Sequence, residues 1–503
     1  MSHEPVAFVI PTYRLRDVGD AVRAYDENFR HNGHTLPLIV FDDSTLANHD
    51  KYFPLLEQTE TTNELHYVGP HQKEQFVRFL QHQLRDAKLD SLVRNLFRPS
   101  YGGNRNFALI YTLGQLVISA DDDMRPDAIV EDSPESLAAN EVSRGKLIRP
   151  DAIGHTLKSY DLLSVFKDVL GRRAADIPAN YASGELLVDS AMDLETNSSK
   201  GYSRENSLTL MPGAVPPGAI VKLAQTFRTG TDDIDALDYA HIFLATEDQR
   251  TPDELTDRYM LVNFRPAVTN RNWRFDCGVA GYDNRLGLPP FFPTRLRFED
   301  YIYRLWIQQK GVVAAHVDAA QRHTKNNYMR NPLAAEIFNE EISNLLKRKL
   351  KSSIRRMDEL TVAFDYDGTV SHDDTEETLE KIRAVHAQAV AIAPRTKDPE
   401  RRQALEIFAA NLAKSFYGFE SDFFQQNVSR IVDDVLSQIY ASIELWPRLV
   451  EICYYHKDRR QFPMSRVRNR RPRRKRVSSF RAAGLPQSSR GIPALSILPA
   501  PAA

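Results

Sequence analysis

Short apolar segments alternate with helical stretches in the N-terminal part of the chain. The apolar segments Val6–Ile10, Leu36–Phe41 and Leu116–Ala120 are separated by stretches of helical periodicity, among them Asp17–Phe29 and Gln75–Phe97. Apolar runs of this length that alternate with helices are typical of buried strands in a parallel sheet with helices on its faces. The sequence therefore predicts an α/β fold with a mostly parallel sheet flanked by helices.

Acidic residues follow two of these predicted strands. Asp42 and Asp43 come after the second strand, and Asp121, Asp122 and Asp123 come after the third. Ligands of such sheets bind beyond the carboxyl ends of the strands. Divalent cations prefer carboxylate oxygens, and a bound cation would offset the repulsion among three adjacent carboxylates. The pattern indicates a site for a metal ion and a diphosphate, and the alternative interpretation is a solvated acidic turn.

Length and charge indicate how the chain is organised. It has 503 residues, which is too long for one ordinary core and predicts two or three domains. The net charge of −2 is unevenly distributed. Residues 451–503 contain 13 Lys and Arg and 2 Asp and Glu, whereas residues 1–450 contain 52 basic and 65 acidic residues. We expect an acidic body without a nucleic-acid-binding surface, and a basic tail.

The residue pattern changes along the chain and suggests three regions. Residues 1–330 are expected to form the α/β domain, with an insertion at about 130–270 where the pattern is less regular. Residues 331–450 have helical periodicity and form a C-terminal helical region. Residues 451–503 form a disordered tail, because they cannot bury enough apolar surface to fold alone. The tail is either a plain extension, whose removal after Arg460 leaves stability unchanged, or a weak contact with an anionic membrane surface.

Cysteine usage and hydropathy indicate the compartment. Cys277 and Cys453 are too few for a disulfide framework or a zinc site. No apolar segment approaches the roughly 18 residues needed to cross a bilayer. The N-terminus lacks the basic segment of a signal peptide. We expect a reducing, cytoplasmic setting.

The segment from Gly102 to Asp123 resembles the inverting glycosyltransferases of family 2. Their common pattern is Ala-Arg-Asn, a helix, Gly, a strand and Asp-x-Asp. In that pattern the glycine follows the arginine by nine positions and the first aspartate by sixteen. Arg105, Gly114 and Asp121 have this spacing. Agreement of motif and spacing together is more specific than either part alone.

Three further segments resemble the same family, and they occur in the same order. They are Val9–Tyr13, Val40–Thr45 and Phe298–Asp300, the last followed by Gly311 and His323. They are similar to the opening strand and turn, to the strand whose acidic end holds the nucleoside, and to the Glu-Asp helix of the family. The family usually has Asn where this chain has Arg14.

The resemblance implies a GT-A-like nucleotide-sugar-binding fold and the transfer, with inversion, of a hexosyl unit from a nucleotide-sugar. A UDP-sugar is the favoured donor, and Mn²⁺ or Mg²⁺ is the implied cofactor. The acceptor is a hydroxyl group of a glycan, a lipid-linked sugar or a small molecule. The nucleotide-sugar-binding residues that the resemblance implies are Pro11, Thr12, Tyr13, Asp42, Asp43, Arg105, Asn106, Asp121 and Asp122. The implied metal ligands are Asp121, Asp123 and His323.

The Glu299-Asp300 pair is the candidate catalytic pair. An inverting transfer needs a base at the acceptor hydroxyl, on the face opposite the leaving diphosphate. Asp300 opens a predicted helix, whose dipole favours the ionised carboxylate. Glu299 opposes this effect, because like charges raise each other's pKa. The alternative interpretation is a helix start that carries two ordinary acidic residues.

Two other functions remain open from the sequence. The segment Val362–Val370 resembles the nucleophile loop of haloacid-dehalogenase-type phosphatases, in which Asp365 would attack phosphate and Asp367 would act as acid and base. The residues that follow have helical periodicity, whereas such phosphatases need further strands. The second alternative is a non-catalytic module that binds a sugar nucleotide. Hydrolysis of a nucleotide-sugar without an acceptor would favour an enzyme over a binding module.

Overall fold

The computed structural model describes most of the chain. The described residues are 5–44, 46–131, 146–148, 155–177, 218–231, 259–261, 269–272, 277–292, 299–300, 303, 307, 312–324, 333–356, 362–364, 371–420, 430, 441–442, 444–456 and 462–468. Within this part of the chain, no helix is long and apolar enough to cross a membrane.

Strands occur along the whole described chain. They are β1 Val6–Thr12, β2 Leu38–Asp42, β3 Leu65–Val68, β4 Leu116–Ala120, β5 Met124–Arg125, β6 Asp127–Glu131, β7 Lys146–Ile148, β8 His155–Ser159, β9 Val221–Thr231, β10 Tyr259–Leu261, β11 Thr269–Asn272, β12 Val279–Asp283, β13 Val313–His323, β14 Ile354–Arg356, β15 Val362–Phe364 and β16 Ser465–Arg466.

The α-helices lie between the strands in the first half and dominate the second half. They are α1 Leu15–His31, α2 Leu46–Gln58, α3 Pro70–Leu84, α4 Asp90–Leu96, α5 Tyr101–Tyr111, α6 Leu162–Lys167, α7 Ala334–Ser353, α8 His372–Ile392 and α9 Pro399–Glu420. Residues 444–456 are also helical.

One large sheet forms the centre of the fold. Its main path has the order β11-β13-β9-β12-β4-β1-β2-β3-β16. The neighbouring strands β3, β2, β1 and β4 are parallel, whereas β12 is antiparallel to β4 and to β9. The predicted α/β class with a helix-flanked sheet is confirmed. The half of the sheet formed by β3, β2, β1 and β4 is parallel, and the other half contains both parallel and antiparallel pairs.

Both faces of the central strand β1 are buried. Ala7 and Val9 belong to one hydrophobic cluster, which includes residues of α3, α5 and residues 444–456. Phe8 and Ile10 belong to the cluster on the opposite face, which includes residues of α1, α2 and α6. Successive side chains of a strand point to opposite faces, so a continuous apolar run packs against helices on both faces of the sheet. This explains why the sequence pattern identified the strand.

Residues 221–231 correct the prediction of an insertion at about 130–270. They form β9, which pairs antiparallel with β12 and parallel with β13 inside the main sheet. A strand with neighbours on both sides is part of the domain core. The mixed polar composition of this strand hid it from pattern analysis, and much of the surrounding segment lies outside the described residues.

The start of the predicted basic tail is folded. Residues 444–456 are helical, and Cys453 is fully buried in a hydrophobic cluster. The short strand β16 pairs antiparallel with β3, and Val467 next to it is also buried. The prediction of a disordered tail over residues 451–503 is therefore wrong for residues 451–456 and 462–468. The Arg-rich composition masked a few apolar residues that complete the core.

The region of the phosphatase-like motif contains a small separate sheet. Strand β15 pairs antiparallel with β14, and these two strands form their own sheet. Asp365 and Asp367 of the motif lie outside the described residues. Helix α7 precedes this sheet in the chain, and helices α8 and α9 follow it.

Candidate functional site

A pocket lies beyond the carboxyl ends of β1, β2 and β4. Because these strands are parallel and adjacent, their ends meet at one edge of the sheet. The pocket has a volume of about 460 Å³. Its lining residues come from these strand ends, from the loop after β4 and from the start of α5: Pro11, Thr12, Tyr13, Arg14, Asp43, Ser44, Asn48, Pro99, Ser100, Tyr101, Asn104, Arg105, Asp121, Asp122 and Asp123.

The start of α5 is fixed close to the sheet. The Ser100 side chain accepts a hydrogen bond of 3.0 Å from the Gly103 backbone and caps the helix. A Cβ at Gly103 would lie 2.0 Å from the backbone oxygen of Arg98, so the position requires glycine. The next turn places Asn104 and Arg105 at the strand ends. Gly103 thus has a packing role that the motif alone did not show.

The acidic loop of Asp121, Asp122 and Asp123 is held by its backbone. The Asp121 backbone N–H donates to the oxygen of Gly278 at 2.9 Å, and Thr324 donates its backbone N–H to the oxygen of Asp123 at 2.7 Å. Strand β5, which follows the loop, pairs with the end of β13. The loop is therefore anchored to segments about 150 to 200 positions further along the chain, as the residue numbers show.

Asp122 faces the end of β1. Its Oδ2 accepts hydrogen bonds from the Thr12 hydroxyl at 2.6 Å and from the Arg14 backbone N–H at 3.2 Å. Burial raises the pKa of Asp122 to about 7, and the charge of Asp123 adds to this effect while Arg14 opposes it. The site thus contains a carboxyl group that titrates near neutral pH.

Asp123 has two cationic or potentially cationic neighbours. The Arg14 guanidinium contacts Asp123 Oδ2, and His323 Nε2 lies 3.3 Å from the same oxygen. Burial raises the pKa of Asp123, but His323 and Arg14 outweigh that effect and hold the pKa well below its usual range. Asp123 is therefore ionised at every ordinary pH.

Arg105 connects the acidic loop to the predicted catalytic pair. Its two terminal nitrogens donate to Asp121 Oδ1 at 3.1 and 3.0 Å, and its Nε lies 3.6 Å from Glu299 Oε1. Burial raises the pKa of Asp121 to about 6 and that of Glu299 to about 7, against the opposing charge of Arg105 in both cases. Two carboxyl groups share one buried arginine, so their protonation is linked through it.

The two aspartates after β2 have different environments. Asp42 is fully buried and accepts hydrogen bonds of 2.7 Å from the Tyr67 hydroxyl and from the Ser44 backbone N–H. Asp43 lines the pocket and accepts a hydrogen bond of 3.1 Å from Lys73 Nζ. Of the two, Asp43 lines the pocket, whereas the Asp42 carboxylate oxygens accept hydrogen bonds from the protein itself.

Two aromatic rings stand at the pocket. Tyr13 and Tyr101 are 47% and 42% exposed, although both are large apolar side chains. Their ring centroids lie 6.1 Å apart with an interplanar angle of 79°. Exposed rings beside a polar pocket offer stacking surface for a planar ligand group.

The structure brings most of the predicted site residues together. Pro11, Thr12, Tyr13, Asp43, Arg105 and Asp121 to Asp123 line one pocket, and Glu299 and His323 contact members of that set. Asp300 is half-buried beside Glu299 and is not among the lining residues.

Asn106 has a structural role instead of the predicted nucleotide contact. Its side-chain amide donates to the backbone oxygens of Leu96 and Phe291, both at 2.9 Å, and its Oδ1 accepts from the Phe291 backbone N–H at 2.7 Å. Asn106 is fully buried, so its polar atoms are used by the fold. It joins α5 to the segment that precedes the Glu299 helix.

The predicted metal ligands do not form a metal-binding group. Among the described residues, no group of three or more His, Cys, Asp or Glu side chains is arranged to hold a metal ion. Asp121 binds Arg105, whereas Asp123 binds Arg14 and His323. The set Asp121, Asp123 and His323 therefore does not fit Mn²⁺ or Mg²⁺ in this arrangement, because two arginines occupy the carboxylate oxygens that would bind the ion.

Several residues of the pocket and its support were not predicted from sequence, and four of them matter for the site. They are Arg14, Lys73, Tyr101 and Asn104. Lys73 Nζ donates to Asn104 Oδ1 at 2.6 Å, and the Asn104 amide donates to the Phe41 backbone oxygen at 3.0 Å. Asn104 lies inside the motif that carries the family resemblance, so its position beside Arg105 was the sequence signal that could have identified it as a site residue. Lys73 lies in a helix with no local sign of a role.

Comparison with known proteins gives a weak result. No protein-family model and no curated protein matches the chain. Among solved structures, the chain is similar to the mannosyltransferase PcManGT from Pyrobaculum calidifontis in complex with GDP-Man and Mn²⁺. The two are 11% identical, the match covers 88% of this chain and 87% of the other, and the TM-score is 0.27. A likeness this small carries no argument about function.

Proposed function

We propose that the chain is a glycosyltransferase that moves a hexosyl unit from a nucleotide-sugar, with a UDP-sugar favoured, to a hydroxyl acceptor with inversion. The main support is the convergence of four sequence-predicted segments at one pocket: the ends of β1 and β2, the start of α5 and the acidic loop. These segments carry the resemblance to family 2 and to its GT-A fold, and nothing in their local patterns required them to meet.

The nucleoside would bind at the side of the pocket formed by β2 and α5. Asp43 offers carboxylate oxygens to ribose hydroxyls or to a base N–H, and Lys73 and Asn104 hold that end of β2 in place. Tyr13 and Tyr101 offer ring surface for the base. Pro11 and Thr12 form the adjoining wall.

The diphosphate would bind toward the acidic loop, where Arg14 and Arg105 supply positive charge. A divalent cation is not part of this proposal, because these arginines already contact the carboxylates that would bind it. Arginine is suited to this role, since its planar guanidinium makes paired hydrogen bonds to phosphate oxygens.

Asp300 is the proposed base for the acceptor hydroxyl. Glu299 links the pair to the pocket through Arg105 and Asp121, which places the Glu-Asp helix start next to the donor site. Burial and the nearby charge of Asp300 raise the pKa of Glu299 to about 7, and the positive charge of Arg105 opposes this shift. A group with such a pKa can exchange a proton near neutral pH, so it could assist Asp300.

The first test is donor binding and turnover. A panel of nucleotide-sugars is measured by thermal shift, since a ligand of the native state raises the melting temperature. The ligand that binds is then used in a hydrolysis and transfer assay with a range of acceptors. Binding without hydrolysis or transfer would favour the non-catalytic binding module, and no binding by any nucleotide-sugar would refute the proposal.

The second test separates the base from the binding residues. Asp300→Asn cannot accept a proton, so we expect turnover to fall by about 10²-fold or more while donor affinity is kept. The matched control is Asp20→Asn, which makes the same change at a side chain that is 61% exposed and paired with Arg23. Turnover of Asp300→Asn at the level of the control would remove Asp300 from the mechanism.

A further inference from the structure

Arg14 is bound to the acidic loop although the two are far apart in sequence. Its Nη1 contacts both Asp122 Oδ1, at 3.3 Å, and Asp123 Oδ2. Its backbone N–H also donates to Asp122 Oδ2 and to the Thr12 hydroxyl oxygen, each at 3.2 Å. One arginine thus contacts two of the three carboxylates through its side chain, while its backbone is fixed at the end of β1.

We infer that Arg14 is the resident cation of the acidic loop and competes with divalent metal ions for Asp122 and Asp123. A guanidinium group and a hard metal ion bind carboxylate oxygens, and the same oxygen cannot serve both at full strength. The inference does not depend on the proposed transfer reaction, because it concerns only which cation the loop holds.

The burial of the three side chains supports competition at one place. The Asp122 and Asp123 side chains are 4% and 7% exposed, whereas the Arg14 side chain is 28% exposed. All three residues line the same pocket, so a metal ion that enters it meets the carboxylate oxygens that the guanidinium already contacts.

The Arg14 side chain can move without disturbing the fold. Its backbone is held by Thr12 and Asp122, so the end of β1 stays in place when the side chain turns. The guanidinium also contacts Tyr13, whose hydroxyl lies 3.1 Å from Nη2 and whose ring centroid lies 5.0 Å from the guanidinium carbon. Because Tyr13 is itself exposed, displacement does not open the hydrophobic core.

The experiment measures Mn²⁺ binding alone, without any nucleotide. Mn²⁺ is titrated into the full-length chain, into Arg14→Met and into Arg14→Gln, and affinity is measured by calorimetry and by the loss of the free-Mn²⁺ electron paramagnetic resonance signal. Removing a competing positive charge next to two buried carboxylates should raise Mn²⁺ affinity by about tenfold or more in both variants. Arg14→Gln keeps a donor for Asp122, so it decides the outcome if Arg14→Met does not fold.

Two controls make the result specific. Arg16→Met removes an arginine two positions away that pairs with Asp17, and it should leave Mn²⁺ affinity unchanged. Adding Asp123→Asn to Arg14→Gln should abolish the increase in Mn²⁺ affinity that Arg14→Gln alone produces. Equal Mn²⁺ affinity in the full-length chain and both Arg14 variants would overturn the inference, as would a gain that survives Asp123→Asn. Absence of donor binding would refute the proposed function but would leave this measurement intact.

Discussion

Replacing Glu299 by Gln should stabilise the protein at high pH and not at low pH. Glu299 is 8% exposed, and its pKa is raised from 4.5 to about 7 by burial and by Asp300, against the charge of Arg105. A folded-state pKa above the unfolded value means that the folded state holds its proton more tightly. The stability due to this group is complete below the unfolded pKa of 4.5 and is lost as the pH rises through about 7.

The magnitude follows from the size of the pKa shift. A shift from 4.5 to about 7 corresponds to about 3 kcal/mol of unfolding free energy. Gln resembles the protonated acid and does not ionise, so Glu299→Gln avoids this loss. Relative to the unmodified chain, its free energy of unfolding should rise by about 3 kcal/mol between pH 4 and pH 8.

Urea denaturation of both proteins at several pH values tests this expectation. The difference between the two free energies of unfolding isolates Glu299 from the other titrating groups. Glu74→Gln serves as a control of opposite sign. Burial raises the pKa of Glu74, but the hydrogen bonds and charges of Arg78 and Arg94 together outweigh burial and lower it, so this variant should gain no stability at high pH. If the free energy of unfolding of Glu299→Gln, relative to that of the unmodified chain, stays constant or falls as the pH rises, the reasoning is refuted.

Two further predictions concern the support of the site. Truncation after Arg460 removes β16 and the buried Val467, so it should lower the free energy of unfolding by about 1.5 to 3 kcal/mol for each large apolar side chain lost. Truncation after Asn469 is the control and should leave the melting temperature unchanged. Equal melting temperatures for the two truncated proteins would contradict the packing of β16. Lys73→Met removes a buried cation and leaves the half-buried Asp43 without its partner, so it should cost about 3 kcal/mol in urea denaturation. A loss below about 1 kcal/mol would show that the pair contributes little.

The sequence predicted the positions of the site better than the roles of its residues. The acidic ends of β2 and β4 were identified from apolar runs followed by aspartates, and they lie at one pocket. Of the two aspartates after β2, however, only the structure distinguishes Asp42, held by Tyr67, from Asp43. Adjacent residues of a strand end point in different directions, and composition does not reveal which one finds a buried partner.

Long-range partners explain most of what pattern analysis missed. Arg14 contacts residues 108 and 109 positions later in the chain, and Asn106 bonds to a backbone 185 positions away. Local periodicity indicates that a residue lies in a helix or strand, but it carries no information about the side chain that will be placed opposite it. For this reason Asp121 and Asp123 were plausible metal ligands as residue types, and yet Asp121 contacts Arg105 and Asp123 contacts Arg14 and His323.

The sequence predicts β1, β2 and β4 of the parallel half of the sheet, because β1 and β4 are largely apolar runs that become buried on both faces. It does not predict β3, which has only four residues. Tertiary structure alone decided that β9 lies within the sheet and that β16 extends its far edge. These strands are polar or only two residues long, and they are stable because neighbouring strands supply their hydrogen-bond partners. The fold also decides which cation lies at the acidic loop, because it places Arg14 against Asp123, a predicted metal ligand, and against Asp122, a predicted nucleotide-sugar contact.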